Sequence, residues 1–352
     1  MRWEENIRKV VPYVPGEQPK DLDIIKLNTN ENPYSPAPGV KKLIQEFDYD
    51  TLRLYPDTDS TNLTEELAAY YHLKPLQIFI GIGSDDVLSM AFLTFFNSKK
   101  PILFPDITYS FYDVWAELYR IPYRVCPLNE NFEISVEDYK QENGGIIIAN
   151  PNAPTGVFTS VDRIEEIIKS NPDVVVIVDE AYIDFGGTSC RPLLDKYENL
   201  LVVQTFSKSR SMAGMRIGFA MGNEKLIQYL NDAKFSFNSY TMNRTAQCFG
   251  VEAVRDDVYF KECNLRIMAT RERVKEELRK LDFVFSDSMT NFIFASHKHL
   301  SGEQIFQELK KRKIYVRHWN KPRISEYLRI SIGTDEQMEK LLHALQEIVS
   351  DC

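Results

Sequence analysis

Cysteine and tryptophan are scarce in this chain of 352 residues, with five of the first and three of the second. Cys126, Cys190, Cys248, Cys263 and Cys352 are odd in number, scattered and never spaced C-x-x-C, which speaks against a disulfide framework or a zinc site and for a reducing compartment. A basic excess is also missing. Lys and Arg total 42 against 51 Asp and Glu, a net charge of −9, so the electrostatic footprint of a nucleic-acid binder is absent. A local cluster of cations can still hold an anion in an acidic protein, because the local field decides binding. No apolar run approaches the roughly 20 residues of a membrane helix. The N-terminal MRWEENIRKVVPYVPGE has no apolar stretch of the secretory kind. The expectation is a cytoplasmic protein without membrane, metal or nucleic acid as a partner.

What is present is ordinary for a globular chain: 43% hydrophobic and 26% charged residues, long enough for roughly two to three domains. Residues 1–30 carry Pro12, Pro15 and Pro19, which forbid a long helix and predict an extended arm. ENPYSPAPG (31–39) is a turn-rich link. From Ser60 the pattern changes. STNLTEELAAYYH predicts an amphipathic helix with a Ser or Thr cap. Short apolar runs then alternate with helical segments: QIFIGIG, PILFP, GGIIIANP, DVVVIVDEAY and NLLVVQTFS read as strands, and SDDVLSMAFLTFF and TYSFYDVWAELY (108–119) as helices between them. Their nearly continuous apolar character fits strands covered on both faces, in a largely parallel sheet between helix layers. That alternation is the α/β class. Beyond about residue 250 the order shifts to a long charged helix (256–281), NFIFAS, a helix from about Gly302, IYVRH, YLRISIG and a terminal helix, a smaller α+β domain. The expected division is an arm over 1–30, a large domain over 31–255 and a small domain over 256–352.

Ligands of open α/β sheets gather at the carboxyl ends of the strands. Those ends here are Gly81-Ile82-Gly83-Ser84-Asp85, Asn150-Pro151-Asn152, Asp179-Glu180-Ala181-Tyr182 and Ser207-Lys208, with Arg216 shortly after. Asp179 closes a buried apolar strand. An ion there needs a cationic or proton-donating partner, either a structural arginine or the protonated nitrogen of a pyridine ring such as that of pyridoxal phosphate. Lys208 follows a buried strand, an unusual place for lysine, and a lysine held partly out of water can attack a carbonyl. A single lysine of this kind is more often a loop residue; Asp179 upstream and Arg216 downstream change the balance. Arg216 and Ser207 suit a phosphate. The turn Gly81–Ser84 before a helix offers backbone N–H groups to the same anion, although such a turn alone is weak. In NPNAPTG (150–156), two prolines stiffen a turn that can aim the Asn152 amide at a ligand oxygen.

NPNAPTG (150–156), DEAYIDF (179–185), FSKSRSMAGMRIGFA (206–220) and LRISIG (328–333) together resemble the fold-type I aminotransferases, and the likeness covers nearly the whole chain. VPYVPGE, KLNTNENPYSP and RLYPD (53–57) are similar to the branch of that family acting on histidinol phosphate. The resemblance implies a large domain with a mainly parallel seven-stranded sheet between helices, a smaller α+β domain, and pyridoxal 5′-phosphate as cofactor. It implies that Lys208 attaches the cofactor and moves the substrate proton, and that Asp179 faces the pyridine nitrogen. Asn152 and Tyr182 would bond the phenolic oxygen, and Tyr109 would stack on the ring. Ser84, Asp85, Ser207 and Arg216 would hold the cofactor phosphate, with Tyr55 reaching it from a second subunit of a homodimer that shares its active sites. Arg329 and Arg317 would hold the substrate's anionic end, while Tyr13 and Asn30 of the arm would cover the imidazole end. The implied substrates are L-histidinol phosphate with glutamate and 2-oxoglutarate.

Two departures from the family pattern stand out. Ala153 replaces the second Asn of the turn, with little consequence expected if Asn152 faces the cofactor. Arg210, in Ser209-Arg210-Ser211, is expected to add positive charge near the phosphate end. Neighbouring chemistries stay open in the motifs: threonine-phosphate decarboxylation and aromatic transamination differ from histidinol-phosphate transamination in ways these residues hardly fix. A catalytically silent relative is disfavoured because Lys208 and Asp179 are both present. A plain dinucleotide-binding fold is disfavoured because GIGSDD lacks the third glycine.

Overall fold

Strands buried along their whole length lie side by side at the centre of the molecule. The structure is a computed structural model that describes residues 3–21 and 23–350. Cys352 and the outermost ends of the expected arm and small domain therefore lie outside the described residues. The main sheet has seven strands in the order Ile78–Gly81, Gly218–Gly222, Leu200–Thr205, Val176–Asp179, Ile146–Ala149, Ile102–Pro105, Tyr123–Cys126. Neighbouring strands run parallel except around Gly218–Gly222, which is antiparallel to both of its partners.

Alternation sorts the side chains into two cores. Ile177, Leu201, Val203 and Ala220 face helices Ser84–Phe95, Tyr112–Tyr119 and Glu224–Phe237. Val176, Val178, Leu200 and Val202 face helices Thr61–Tyr71, Val161–Ser170 and Arg244–Arg255. Both faces of the sheet are thus covered, which is why its central strands carry no polar alternation.

A second sheet, antiparallel throughout, has the order Arg317–His318, Tyr327–Ser331, Phe292–His297, Phe283–Phe285. It shares a core with helices Asp257–Lys280, Gly302–Lys311 and Asp335–Ser350 through Ile267, Val274, Ile305, Leu341 and Leu345. Ile25–Lys26 pairs in parallel with Ile314–Tyr315, so the end of the arm is tied to this smaller unit.

Two local expectations are corrected. Ser60 does not cap the helix Thr61–Tyr71 with its side chain; it sits at φ 50°, and Asp57 Oδ2 accepts from the Thr61 N–H at 2.7 Å instead. The helix after strand Ile102–Pro105 begins at Tyr112 rather than at Thr108, which leaves residues 108–111 as a loop over the site.

Candidate active site

Asp179 ends its strand almost wholly out of water. Its Oδ2 accepts the Tyr112 hydroxyl at 2.8 Å and its Oδ1 accepts the Ala181 N–H at 3.2 Å. Burial pushes its carboxyl up to about 6, against which these two hydrogen bonds act. Among the described residues it has no ion-pair partner. Lys208 projects from the turn after Leu200–Thr205. Its ammonium donates to the Thr29 carbonyl at 3.2 Å and stands 5.8 Å from the centre of the Tyr182 ring. Asp179, Lys208, Tyr182, Tyr109, Ser84, Asp85, Ser207 and Arg216 line one cavity of about 130 Å³.

The anion end of this cavity is built by glycine. Gly81 and Gly218 are paired across the sheet. A Cβ on Gly218 would stand 2.2 Å from the Gly83 carbonyl carbon and 2.3 Å from the Ser84 nitrogen. Gly83 itself has φ +91°, and a Cβ there would meet Arg216 Nη2 at 2.4 Å. The close approach brings the first N–H groups of helix Ser84–Phe95 and the Arg216 guanidinium to one spot, an anion site by backbone geometry and charge. Arg216 reaches Asp85 Oδ2 at 3.1 Å and Ser207 Oγ at 3.4 Å. Tyr109 donates to the other oxygen of Asp85 at 2.7 Å.

A larger cavity of about 580 Å³ adjoins the first and shares Tyr109, Ala153, Tyr182 and Lys208 with it. Tyr13, Asn30, Arg317 and Arg329 all line it. Asn30, at φ 56°, is fixed by Ser331 and donates from Nδ2 to the Tyr182 hydroxyl oxygen at 2.9 Å, leaving the Tyr182 proton free to point inward. The Arg329 guanidinium donates to the Asn28 carbonyl at 2.9 Å, and its buried Nε has no partner among the described residues. Burial lowers its pKa, a sign of a cation held without its counter-ion. Tyr13 stacks on Phe111 with ring centres 4.1 Å apart, roofing this end.

Two expectations about the site do not match the geometry. Asn152 lines neither cavity. Both of its amide hydrogens go to protein acceptors, the Ile107 carbonyl and Thr155 Oγ1, each at 2.9 Å, and its oxygen accepts from Thr108. Its neighbours Pro151 and Ala153 line the smaller cavity, and Ala153 and Pro154 the larger. Arg210 points away from the phosphate end, into a box of Tyr70, Phe206 and Phe260, and donates to the Ala253 carbonyl at 2.7 Å. Tyr55, expected to act on a second subunit, is 77% exposed, lies against Tyr240 and lines neither cavity of its own chain.

Tyr112, three residues beyond Tyr109, is a site residue that the sequence pattern does not mark. Nor does it mark Arg323, which joins the loop over the larger cavity to Asp106 at 2.7 Å and to the carbonyls of Leu128 and Asn129. No spacing signal marks either residue.

A buried acid, a lysine and a glycine-built anion site around one small cavity, set at the strand ends of a seven-stranded sheet, define a pyridoxal-phosphate enzyme of fold type I. The chain belongs to the class I and II aminotransferases, whose family model matches residues 22–345. Within that family it is similar over its full length to histidinol-phosphate aminotransferases. The enzyme of that name from Lactococcus lactis subsp. cremoris (strain SK11) is 53% identical over 351 residues, covering 100% of this chain and 99% of the relative. The one from Clostridium botulinum (strain Kyoto / Type A2) is 51% identical, covering 99% and 98%. The crystal structure of histidinol-phosphate aminotransferase from Sinorhizobium meliloti in complex with pyridoxal-5′-phosphate shares the fold with a TM-score of 0.85 at 22% identity, over 93% of this chain and 91% of that one.

The cofactor of this family fits the residues present. An unpaired buried carboxylate suits a protonated pyridine nitrogen, and the glycine-framed helix start with Arg216 suits a phosphate ester.

Proposed function

We propose that this chain transfers the amino group of L-histidinol phosphate to 2-oxoglutarate, giving imidazole acetol phosphate and L-glutamate. The observation that carries the substrate is the pair Arg317 and Arg329, two arginines in direct cross-strand register on the wall of the cavity that holds Lys208. Two guanidinium forks suit a phosphate dianion. One of them alone serves the single side-chain carboxylate of glutamate in the second half-reaction.

When bound, pyridoxal phosphate would supply an aldehyde carbon for condensation with the amine, water leaving, and a ring that withdraws electrons from Cα. The chain's own residues do the rest. Lys208 takes the proton from the substrate Cα and returns one to the cofactor side, as general base and then acid. Asp179 holds a proton at the ring nitrogen. Tyr182 donates its free hydroxyl proton toward the phenolic oxygen. Ser84, Asp85, Ser207 and Arg216 hold the cofactor phosphate. Tyr109 covers the ring, and the Tyr13–Phe111 stack keeps water from the substrate end.

The working unit in this reading is a homodimer in the cytoplasm. Tyr49, Leu52, Tyr55 and Phe237 are exposed large side chains, and Tyr55 would complete the phosphate site of the second subunit. Among the described residues no helix is long and apolar enough to cross a membrane.

An amino-donor panel tests the proposal. L-histidinol phosphate should convert the bound cofactor fastest, ahead of L-phenylalanine, and L-threonine phosphate should release no carbon dioxide. Carbon dioxide from L-threonine phosphate at a comparable rate would replace this reading with a decarboxylase.

A further inference from the structure

Tyr112 lies at the start of helix Tyr112–Tyr119 and has no exposed surface. Its ring is enclosed by Phe92, Phe104, Tyr109 and Trp115. A phenylalanine would meet the same packing need, so the hydroxyl is what requires a reason. A buried hydroxyl costs free energy unless it finds a partner, and this one is given to Asp179 Oδ2 at 2.8 Å. Burial raises the phenol well above its ordinary range, so it remains a donor and not an anion.

Among the described residues the other hydrogen bond to the Asp179 carboxylate comes from the Ala181 N–H, at a longer 3.2 Å. Tyr109 is engaged by Asp85 and offers no substitute. Asp179 therefore depends on one strong neutral donor for both its direction and its charge.

We propose that Tyr112 is the positioning residue that keeps Asp179 ionised and aimed at the cofactor's ring nitrogen, and so sets how firmly that nitrogen is held protonated. This rests on the reading of the smaller cavity as a pyridoxal-phosphate site. A hydrogen bond from a neutral hydroxyl to a carboxylate favours the charged form over the neutral one. Without it, the acid in this dry pocket keeps its own proton and no longer offers a charge to the ring.

The test compares two ligands on apoprotein: pyridoxamine 5′-phosphate and its 1-deaza analogue, which lacks the ring nitrogen. Wild type is expected to prefer the nitrogen-bearing ligand. Tyr112→Phe should reduce that preference about tenfold, the scale of one hydrogen bond to a charged group, while affinity for the deaza analogue stays unchanged. In an Asp179→Asn background the same substitution should alter the preference no further. A singly fluorinated tyrosine at 112, a stronger donor of nearly the same size, should increase the preference and covers the case in which the phenylalanine variant does not fold. Equal weakening of both ligands, or an unaltered preference, would overturn the proposal. Wild type that binds neither ligand, or both alike, would overturn the cofactor reading beneath it and the proposal with it.

Discussion

Arg317 and Arg329 stand directly opposite each other on neighbouring antiparallel strands, and neither has a carboxylate partner among the described residues. Like charges in that register repel. The Trp319 ring lies 5.3 Å from each guanidinium carbon and eases the repulsion without cancelling it. An arrangement that is unfavourable when empty becomes favourable when a dianion enters. Arg317→Ala should therefore leave the ligand-free protein no less stable in thermal melts. It should lower kcat/KM for L-histidinol phosphate by about tenfold to a hundredfold. The loss with glutamate should be larger for Arg329→Ala than for Arg317→Ala, read from the two half-reactions separately.

Burial holds the carboxyls of Asp179 up at about 6 and Glu180 up at about 7, both above their ordinary values. Between about pH 4 and 7 these two groups thus bind more protons in the folded apoprotein than in the unfolded chain, and their contribution to stability falls as pH rises through that window. Asp179→Asn removes one of the two groups. It should make the apoprotein more stable than wild type above pH 7, by up to about 3 kcal/mol, with the gain vanishing below about pH 4. The same variant should lose transamination on the order of a hundredfold or more. Denaturant titrations at several pH values check the first part.

Asn152 holds the Ile107 carbonyl and two threonine hydroxyls, so its role is to shape the loop above the site. Asn152→Ala should cost about 1–3 kcal/mol of stability, because a buried carbonyl loses its donor. The bound cofactor's absorbance should change less than in Tyr182→Phe. A larger spectral change in Asn152→Ala would mean that the amide turns inward when the cofactor binds.

Gly83→Ala places a methyl group against the Arg216 guanidinium at a φ of +91°. The expected result is a folded protein that retains cofactor at least about tenfold more weakly, a loss of about 1.4 kcal/mol. Equilibrium dialysis against pyridoxal phosphate measures it.

The parts of the site that could be read from the chain are those at strand ends. Asp179, Lys208 and the Gly81–Ser84 turn each follow a run of apolar residues, and a parallel sheet brings such ends to one edge. The strands Gly218–Gly222 and Tyr123–Cys126 were not legible. The first contains two glycines and the second is a half-exposed edge with no apolar run. The turn 150–156 signalled rigidity but not direction: Pro151, Ala153 and Pro154 line the cavities, while tertiary hydrogen bonds turn the Asn152 amide away from them. Arg210 shows the same limit. Its charge suggested a phosphate, yet residues distant in sequence, Tyr70 and Phe260, supply the aromatic faces that hold it elsewhere.

The most direct test of the whole account mixes the cofactor-loaded protein with L-histidinol phosphate in the absence of any keto acid and follows the cofactor's absorbance, with Lys208→Ala alongside. In wild type the aldehyde form should disappear within the first turnover, pyridoxamine phosphate should form, and 2-oxoglutarate should restore the starting spectrum. Lys208→Ala should complete neither half of the cycle. Sustained turnover by Lys208→Ala, or a wild-type spectrum indifferent to L-histidinol phosphate, would contradict the assignment of Lys208 and of the substrate respectively.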